Sequence, residues 1–391
     1  MRTGLELILD DPKRWLGNKA RVGLVANPTT VDRQLAHAAD LMHAHPDINL
    51  CLLFGPEHGI RGDAQYMVEV GDTRDPFTGL PEVSLYGETF ASLSPAPEHM
   101  EQIDVLVFDI QDVGARYYTY AATMALCMRA AGKAGVKVVV LDRPNPIGGL
   151  QIEGGGLDAG LENFCGLYPV PQRHAMTVGE LALLYKNSFG IECELEVVAC
   201  EGWRRHSYYD ECDLPWVMPS PNIPTLDTAI VYPGMCLLEG TNLSEGRGTT
   251  RPFELFGAPF IDARQLANEL GRYDLPGVWF RPCVIEPAFD KFAGQRCHAL
   301  QLHVTDRHVF NAYKTGLAVL VAVKALWPGD FAWRTEPYEF RDDVPAIDLL
   351  TGKSAVREAI DRGADLEAVM QIACADTDLY DAGRSAALLY D

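Results

Sequence analysis

The sequence predicts an α/β protein, in which a parallel-sheet domain is followed by a smaller α+β domain. In the first 145 residues, near-continuous runs of Val, Ile and Leu alternate with segments of helical spacing. This alternation is typical of a parallel sheet that is covered by helices on both faces. The C-terminal part contains strand and helix patterns that do not alternate regularly. We therefore predict two domains, at residues 1–220 and 221–391.

The elements of the predicted sheet follow one another in the N-terminal part. Strand patterns occur at residues 20–28, 48–56, 103–112 and 136–146. Helical spacing of the apolar residues occurs at residues 31–44 and 117–133. Short apolar runs separated by helices are expected of buried parallel strands, so these elements predict the core of the first domain.

The middle of the chain changes character. Residues 177–190 predict a helix, because Thr177 and Glu180 have the spacing of a capping box and Gly190 suits a helix end. Residues 211–236 contain five prolines and predict extended or irregular chain, where the domain boundary falls. Strands are expected at residues 192–200, 278–287 and 299–306, and helices at 261–271, 311–326, 354–361 and 366–375.

The composition of the 391 residues disfavours several function classes. Hydrophobic residues make up 48% of the chain, whereas the net charge of −21 disfavours binding to nucleic acid and to anionic membranes. No apolar run is long enough for a transmembrane helix, so no membrane insertion is expected. The ten cysteines form no CxxC pair, which disfavours a zinc knuckle. The N-terminus lacks a signal-peptide pattern, which favours a cytoplasmic location; a periplasmic or secreted location stays open if a signal was removed.

Short polar motifs follow the four predicted N-terminal strands. They supply the first candidate site residues, which are Asn27, Glu57, His58, Arg61, Asp109, Asp112, Arg116 and Asp142. In an open parallel sheet, ligands bind at the carboxyl ends of the strands. The four motifs together therefore predict one shared cleft, although any single motif can equally be a turn former or a helix cap.

Several familiar site motifs are missing from the sequence. No GxGxxG follows a strand and no Walker A loop occurs, so a nicotinamide or ATP site is disfavoured and no cofactor is expected. No GxSxG marks the serine of an α/β-hydrolase. A cation held by the acidic strand ends and His58 stays an alternative, although the spacing of these residues matches no ligand pattern.

A second polar cluster lies at residues 239–252, which read EGTNLSEGRGTTRP. Its glycines allow the backbone to approach a ligand closely. Arg247 and Arg251 can bind a carboxylate through paired hydrogen bonds, and Glu245 can act as a base, a nucleophile or a hydroxyl acceptor. The alternative is a flexible surface loop.

Two further candidates also have structural alternatives. Tyr118 lies two residues after Arg116 and is either a site residue or a packing aromatic of the following helix. Asn222 lies in the stiff segment PSPNIPTLDT and either binds a ligand or caps a turn.

Six ordered motifs carry a resemblance to a known family: GLVANPTTVD, LFGPEHGIRGDAQ, VFDIQDVGARYYTY, VVLDRPNPIGG, PSPNIPTLDT and LLEGTNLSEGRGTTRPFE. With the later stretches FDKFAGQRC and IDLLTG, the chain resembles the bacterial exo-β-N-acetylmuramidase family (NamZ-type, glycoside hydrolase family 171) over nearly its whole length. Members of that family remove N-acetylmuramic acid from the non-reducing end of peptidoglycan fragments. The resemblance implies a Rossmann-like domain and a second α/β domain, with the active-site cleft between them.

The resemblance also implies roles for the candidate residues. The glutamate of the PEHG motif, Glu57 here, is the leading catalytic candidate, and we expect it to act as general acid at the glycosidic oxygen. The second carboxylate is left open among Glu245, Asp112 and Asp109. The acetamido group of the substrate is a further candidate nucleophile.

The substrate class adds the need for a cation, because muramic acid carries a lactyl carboxylate that glucosamine lacks. The candidates for it are Arg247, Arg251, Arg116 and Arg61. The expected partners are peptidoglycan-derived disaccharides or muropeptides, bound by the other candidate residues. Two alternatives remain: a non-catalytic sensor of sugars or muropeptides on the same fold, and a metal-dependent hydrolase that uses the aspartate-rich strand ends.

Overall fold

The computed structural model describes residues 1–62 and 73–391. Within these residues, no helix combines the length and the apolar character that crossing a membrane requires. The strands are β1 (Arg21–Ala26), β2 (Asn49–Gly55), β3 (Thr73–Arg74), β4 (Pro81–Ser84), β5 (Val105–Asp109), β6 (Lys137–Leu141), β7 (Leu195–Val198), β8 (Leu255–Ala258), β9 (Val278–Ile285) and β10 (Cys297–Val304).

The helices alternate with these strands in the first half and dominate the second. The α-helices are α1 (Gly4–Asp10), α2 (Pro12–Leu16), α3 (Ala38–Ala44), α4 (Pro97–Met100), α5 (Tyr120–Ala134), α6 (Val178–Phe189), α7 (Leu226–Met235), α8 (Ala263–Leu270), α9 (Ala312–Leu326), α10 (Ala346–Thr351), α11 (Ser354–Asp361), α12 (Leu366–Ala373) and α13 (Thr377–Arg384). Short 3₁₀ helices lie at Phe90–Leu93, Tyr209–Glu211, Cys236–Gly240 and Ser385–Ala387.

The larger sheet has the strand order β3-β4-β2-β1-β5-β6-β7. The strands from β4 to β7 are parallel, whereas β3 pairs antiparallel with β4 at one edge. From β1 the chain moves outward through β2 to β4, and it then starts again with β5 on the other side of β1. The strand order therefore reverses at β1 and β5, and ligands of such sheets bind beyond the carboxyl ends at this reversal.

The N-terminal strand predictions are confirmed as β1, β2, β5 and β6, and with them the α/β fold class. The short strand β4, which lies outside β2, was not predicted. The helix expected over residues 31–44 begins only at Ala38 in α3. The residues before it form a turn instead, in which the backbone N–H of Asp32 donates to Ala36 and that of Ala36 donates to the Asp32 carboxylate.

The middle of the chain contains one confirmed and one wrong prediction. Thr177 and Glu180 form the expected capping box of α6. By contrast, the second half of residues 211–236 is not irregular, because α7 begins after Thr225, whose hydroxyl accepts a backbone N–H of its first turn. Pro233 lies near the C-terminal end of α7, where a missing N–H disturbs only the last turn. Burial of nearly the whole helix outweighs that cost.

The smaller sheet is antiparallel, with the strand order β8-β10-β9. The strands expected at residues 278–287 and 299–306 are confirmed as β9 and β10, and the four C-terminal helices predicted from spacing are confirmed as α8, α9, α11 and α12. Helix α8 packs against β9 and β10, and α9 packs against α7 and α8. The C-terminal half is thus a small sheet covered by helices, as the sequence predicted.

One buried core runs through both halves. Phe108 of β5 and Val140 of β6 belong to the same cluster of buried side chains as Leu317 of α9. The C-terminal helices also return to the first half, where the hydroxyl of Tyr380 donates to the carbonyl of His174 at 2.9 Å. Because the two halves share their core, the boundary expected after residue 220 stays a prediction.

Candidate active site

The carboxyl end of β2 carries Glu57, the first of the predicted catalytic residues. Its side chain is half-buried, and its Oε2 accepts a hydrogen bond from the Thr119 hydroxyl at 3.4 Å. The next residue, His58, has φ 74°. A residue other than glycine in this left-handed region is strained, and such strain clusters at functional sites. The turn after β2 therefore holds Glu57 in a defined position where ligands of the sheet bind.

The surroundings of Glu57 favour its protonated form. Burial raises the pKa of Glu57, because an ionised carboxylate would lose the water that stabilises it. The charges of His58 and Arg247 oppose this rise, and the carboxylate of Glu239 adds to it. Glu57 therefore keeps its proton to a higher pH than an exposed glutamate, which is what a general acid requires near neutral pH.

Glu239 lies beside Arg247 in the candidate site, and the sequence did not single it out although it opens the cluster at residues 239–252. The Nη2 of Arg247 donates to its Oε1 at 2.7 Å, and the hydroxyl of Tyr338 donates to its Oε2 at 2.7 Å. Burial acts to raise the pKa of Glu239, but Arg247 and Tyr338 outweigh it and lower that pKa below the ordinary value. Two neighbouring carboxyl groups, Glu57 and Glu239, thus have pKa values shifted in opposite directions, as in acid–base catalytic sites.

Glu339 is a third carboxyl group in this region, and the charges of Glu57 and Glu239 act on it. Burial raises the pKa of Glu339 to about 8, and the nearby carboxylates of Glu57 and Glu239 contribute to this rise. No sequence motif surrounds Glu339, and its interaction with Glu57 arises only through the fold. The three glutamates come from the first half, the middle and the second half of the chain.

Asp112, a predicted catalytic residue, follows β5 and has one carboxylate oxygen without a partner. Its Oδ2 accepts hydrogen bonds from the backbone N–H of Gly114 at 2.6 Å and from the Nε2–H of His174 at 3.2 Å. The Nδ1 of His174 accepts the N–H of Met176, which fixes the tautomer that donates to Asp112. The Oδ1 of Asp112 is buried and bonds to no residue that the structure describes. Such an oxygen is costly unless a ligand or a water binds it.

Tyr118 and Asn27, both predicted site residues, bring further polar atoms to this region. The Tyr118 hydroxyl and the Asn27 Nδ2 are buried, and neither makes a well-directed hydrogen bond within residues 1–62 and 73–391, although Ser220 lies near the first. Burial raises the pKa of Tyr118, and the charges of Glu57 and Asp112 raise it further. Asn27 lies beside the hydroxyl of Tyr120. These side chains join the ends of β1, β2 and β5 into one polar cleft.

Glu245, the other predicted catalytic residue, is buried in ion pairs. Its Oε2 lies 2.9 Å from the Nζ of Lys291, and its Oε1 lies 3.2 Å from the Nε of Arg247. Arg247 therefore bridges Glu245 and Glu239, with 23% of its side chain exposed. This position favours a role for Glu245 in supporting Arg247, and its catalytic role stays a prediction.

Asp109 and Asp142 have partners that favour structural roles. Asp109 accepts hydrogen bonds from Nε and Nη2 of Arg143, and both side chains are buried. Asp142 accepts hydrogen bonds from the Thr177 hydroxyl at 2.7 Å and from the Tyr390 hydroxyl. Burial raises the pKa of Asp142 to about 6 in spite of these donors. Substrate binding by the two aspartates stays a prediction that these contacts disfavour.

Arg61 and Arg116 are likewise engaged elsewhere in the fold. Arg61 lies 2.7 Å from a carboxylate oxygen of Asp40 and 2.7 Å from one of Asp75. Arg116 is buried and donates to main-chain carbonyls, among them that of Val170 at 3.1 Å. Their expected contact with a substrate carboxylate stays a prediction, and Arg247 is the predicted arginine whose charge reaches Glu57.

The last two predicted residues lie in more open positions. Arg251 has 44% of its side chain exposed and pairs with Glu254 at 3.2 Å. Asn222 is half-buried in the segment before α7.

The end of the motif that contains Glu57, residues 63–65, lies outside the described residues.

The acidic strand ends do not converge on a cation. In the part of the chain that the structure describes, no group of three or more His, Cys, Asp or Glu side chains is arranged to hold a metal ion. Asp109 instead faces Arg143, and Asp112 faces His174.

Two family models match almost the whole chain. The model described as exo-beta-N-acetylmuramidase NamZ, N-terminal, matches residues 22–227, and the model described as exo-beta-N-acetylmuramidase NamZ, C-terminal, matches residues 230–390. The chain belongs to the NamZ family. The resemblance that the sequence motifs carried is thereby confirmed.

Individual relatives agree with this assignment. The peptidoglycan beta-N-acetylmuramidase NamZ of Bacillus subtilis (strain 168) is 46% identical over 370 residues, which are 95% of this chain and 86% of that protein. Two crystal structures of DUF1343 family proteins from Bacteroides fragilis NCTC 9343 have the same fold. The first has a TM-score of 0.91 at 36% identity and the second a TM-score of 0.77 at 28% identity, each covering 100% of this chain and 99% of its own.

Proposed function

We propose that this protein is an exo-acting glycoside hydrolase that releases β-N-acetylmuramic acid from the non-reducing end of peptidoglycan fragments. Its membership of the NamZ family supports this activity, and so does its 46% sequence identity to a peptidoglycan beta-N-acetylmuramidase. The structural observation that carries the proposal is the pair formed by Glu57, whose pKa is raised by burial, and Asp112, whose Oδ1 is buried without a partner among the described residues. Glycoside hydrolysis needs a proton donor at the leaving oxygen and negative charge near the anomeric carbon.

Glu57 is the general acid of this reaction. It transfers its proton to the glycosidic oxygen while the bond between that oxygen and the anomeric carbon breaks, so the leaving sugar departs as a neutral alcohol. Glu57 is left as a carboxylate, which takes a proton back from the water that completes hydrolysis. The raised pKa of Glu57 keeps the proton available to a higher pH than in an exposed glutamate.

Asp112 is the best placed of the three residues expected to supply the second carboxylate. Asp109 is already paired with Arg143, and Glu245 with Lys291 and Arg247. Asp112 has one oxygen held by His174, and its other oxygen is buried without a partner among the described residues. We assign to Asp112 the stabilisation of the positive charge that develops around the anomeric carbon and the acetamido group.

The activity is tested by the release of 4-nitrophenol from its β-N-acetylmuraminide and from its β-N-acetylglucosaminide, with and without a chelator. We expect turnover of the muraminide that the chelator does not affect. Loss of turnover with the chelator would favour a metal-dependent hydrolase at the acidic strand ends. Saturable binding without turnover would favour a sensor of sugars or muropeptides.

The role of Glu57 is tested by comparing two leaving groups. A sugar leaves only with a proton, whereas 4-nitrophenolate leaves readily without one. We expect Glu57→Gln to lower kcat about 10²–10⁴-fold on the disaccharide of N-acetylmuramic acid and N-acetylglucosamine, and much less on the 4-nitrophenyl glycoside. Asp112→Asn should lower kcat on both substrates, because charge develops at the anomeric carbon with either leaving group.

The control for both variants is Glu98→Gln, which removes an exposed carboxylate of α4 and should leave kcat unchanged. Equal losses on the two substrates in Glu57→Gln would remove the assignment of Glu57 as general acid.

A further inference from the structure

Lys291 lies in the loop that connects β9 to β10, and its ammonium group makes three contacts with the second polar cluster and the residue before it. Its Nζ donates to the carbonyls of Leu238 and Leu243, each at 3.0 Å, and to Oε2 of Glu245 at 2.9 Å. An ammonium group has three donors, so these contacts use all of them. The side chain is 21% exposed. Lys291 is therefore placed to hold other residues and not to bind a ligand itself.

The backbone on both sides of Lys291 is strained. Asp290 and Phe292 have φ 66° and 59°, in the left-handed region that favours glycine. The same loop packs closely on the second polar cluster, where the N–H of Ala288 donates to the carbonyl of Gly248 at 2.8 Å. A Cβ atom on this glycine would lie 2.5 Å from a main-chain oxygen of the loop. Strained backbone persists where its surroundings fix it, and it clusters at functional sites.

The contacts of Lys291 continue through Glu245 to Arg247. The Oε1 of Glu245 lies 3.2 Å from the Nε of Arg247, and the Nη2 of Arg247 donates to Glu239 at 2.7 Å. The guanidinium carbon also lies 5.4 Å from the centroid of the Phe253 ring, and the N–H of Phe253 donates to the carbonyl of Glu245 at 2.6 Å. These partners fix the orientation of Arg247. Its Nη1 makes no bond within the residues that the structure describes.

The charges of this network alternate in sign. The carboxylates of Glu245 and Glu239 share the single positive charge of Arg247. Lys291 provides a second positive charge on the far side of Glu245. With Lys291 the four charges cancel, whereas without it the network would carry a net negative charge. A net negative charge beside Arg247 would repel any carboxylate that approaches its guanidinium.

We propose that Lys291 is a positioning residue for recognition of the lactyl carboxylate of muramic acid, because it neutralises Glu245 and so leaves the charge of Arg247 available to the substrate. This inference rests on the proposed function. It gives the lactyl contact to Arg247, one of the four arginines that the sequence predicted for it. Lys291 acts through Glu245 and itself touches no substrate atom.

The test uses two substrates that differ in one charge. They are 4-nitrophenyl β-N-acetylmuraminide and the same glycoside with its lactyl carboxylate converted to the amide. We expect Lys291→Met to lower kcat/KM on the carboxylate substrate about tenfold more than on the amide, with most of the loss in KM. Lys291→Gln is a second variant without the charge and should show the same difference. Lys291→Arg retains the charge and should lose much less.

The matched control is Lys314→Met in α9. The side chain of Lys314 is 19% exposed and pairs with Glu367 at 3.6 Å. Its exposure is close to that of Lys291, but its partner lies outside the charge network described above. This variant should leave the ratio of the two kcat/KM values unchanged. Thermal unfolding shows that each variant is folded.

A double variant separates the charge of Lys291 from its packing. Glu245→Gln combined with Lys291→Met removes one charge of each sign, so the network becomes neutral again. We expect this double variant to regain the preference for the carboxylate substrate that Lys291→Met loses. A lysine that only braced the loop would not be rescued in this way, because Glu245→Gln weakens the loop further.

Equal losses on the two substrates in Lys291→Met and Lys291→Gln would overturn the inference, and so would a double variant that fails to regain the preference. A wild-type protein that hydrolyses both substrates with equal kcat/KM would also overturn it, while the proposed function stood. A wild-type protein that hydrolyses neither would instead refute the proposed function, and this inference with it.

Discussion

At the scale of single residues, the surroundings of Glu57 and Glu239 shift the pKa values of these two carboxyl groups in opposite directions. Burial raises the pKa of Glu57, whereas the guanidinium of Arg247 and the hydroxyl of Tyr338 lower the pKa of Glu239. The same side-chain type thereby has pKa values shifted in opposite directions at two positions of one cleft. The difference arises from the partners of each carboxyl group and not from its chemistry.

Arg247 is the cation best placed to bind the lactyl carboxylate of muramic acid. Its Nη2 and Nε hold Glu239 and Glu245, and its Nη1 bonds to no residue in the described part of the chain. A charge-assisted hydrogen bond contributes about 1.5–3 kcal/mol. We therefore expect Arg247→Ala to lower kcat/KM about 10- to 100-fold more on the 4-nitrophenyl muraminide than on the glucosaminide.

Arg251→Ala provides the control for this comparison, because Arg251 lies in the same loop but is more exposed and pairs with Glu254. It should change the ratio of the two kcat/KM values little. Equal losses on both glycosides in Arg247→Ala would mean that Arg247 supports Glu239 and does not read the lactyl group.

The sequence predicted candidate site residues at the positions that follow strands, and the structure brings several of them together. Glu57, Asp112 and Tyr118 meet in the structure because the carboxyl ends of parallel strands share one edge of the sheet. Glu239 lies within the motif at residues 239–252, but the local sequence does not indicate that Arg247 lowers its pKa. Glu339 lay beyond prediction, because its approach to Glu57 depends on the tertiary fold.

At the scale of elements, the candidate site residues lie at strand ends and in one tight turn. The ends of β1, β2 and β5 are fixed by the ladder of the larger sheet. The turn at residues 338–341 has no such ladder and is held by side chains instead. Strand patterns predicted the first group, whereas a turn with Glu and Phe at its central positions lacks the Asn or Gly that marks such turns in a sequence.

Phe340 tests how far this turn depends on its anchors. Its ring lies against those of Phe90 and Phe164, with centroids 6.2 Å and 6.1 Å away. We expect Phe340→Ala to lower the free energy of unfolding by about 2 kcal/mol, since a half-buried ring and its aromatic contacts are lost. Turnover of the disaccharide should fall as well, because Tyr338 of the same turn donates to Glu239 in the candidate site.

The two quantities are measured by urea unfolding and by kcat on each substrate. Phe289→Ala is the control, because the side chain of Phe289 is 57% exposed and its loss should change stability by less than about 0.5 kcal/mol. A loss of stability in Phe340→Ala with unchanged kcat on both substrates would separate the turn from the proton donor.

At the scale of the whole molecule, the cleft needs a fixed relation between the two halves. Glu57 belongs to the first half, and Glu239 and Glu339 belong to the second. One buried core, which contains residues of β5, β6, α7 and α9, maintains that relation. The division into two pattern types was visible in the sequence, but the shared core was not, because apolar spacing does not tell which faces pack together.

Arg116 joins the halves through its guanidinium. Its Nη1 donates to the carbonyl of Val170 at 3.1 Å, and its Nη2 donates to that of Leu350 at 2.5 Å. Arg116→Leu would leave these buried carbonyls unpaired, and we expect it to lower the free energy of unfolding by about 3 kcal/mol. The KM for the muraminide should stay close to that of the wild type, because these contacts direct the guanidinium to the backbone. Urea unfolding followed by tryptophan fluorescence measures the first quantity, and initial rates on the muraminide measure the second.

The matched control for Arg116→Leu is Arg362→Leu. The side chain of Arg362 is 67% exposed and pairs with Glu358 at 3.6 Å, so its loss should change stability by less than about 0.5 kcal/mol.

Because one core spans both halves, unfolding of Arg116→Leu should remain a single transition at a lower urea concentration. Two transitions would show that the halves fold separately and that Arg116 couples them. A raised KM with unchanged stability would instead restore the contact between Arg116 and the substrate that the sequence predicted.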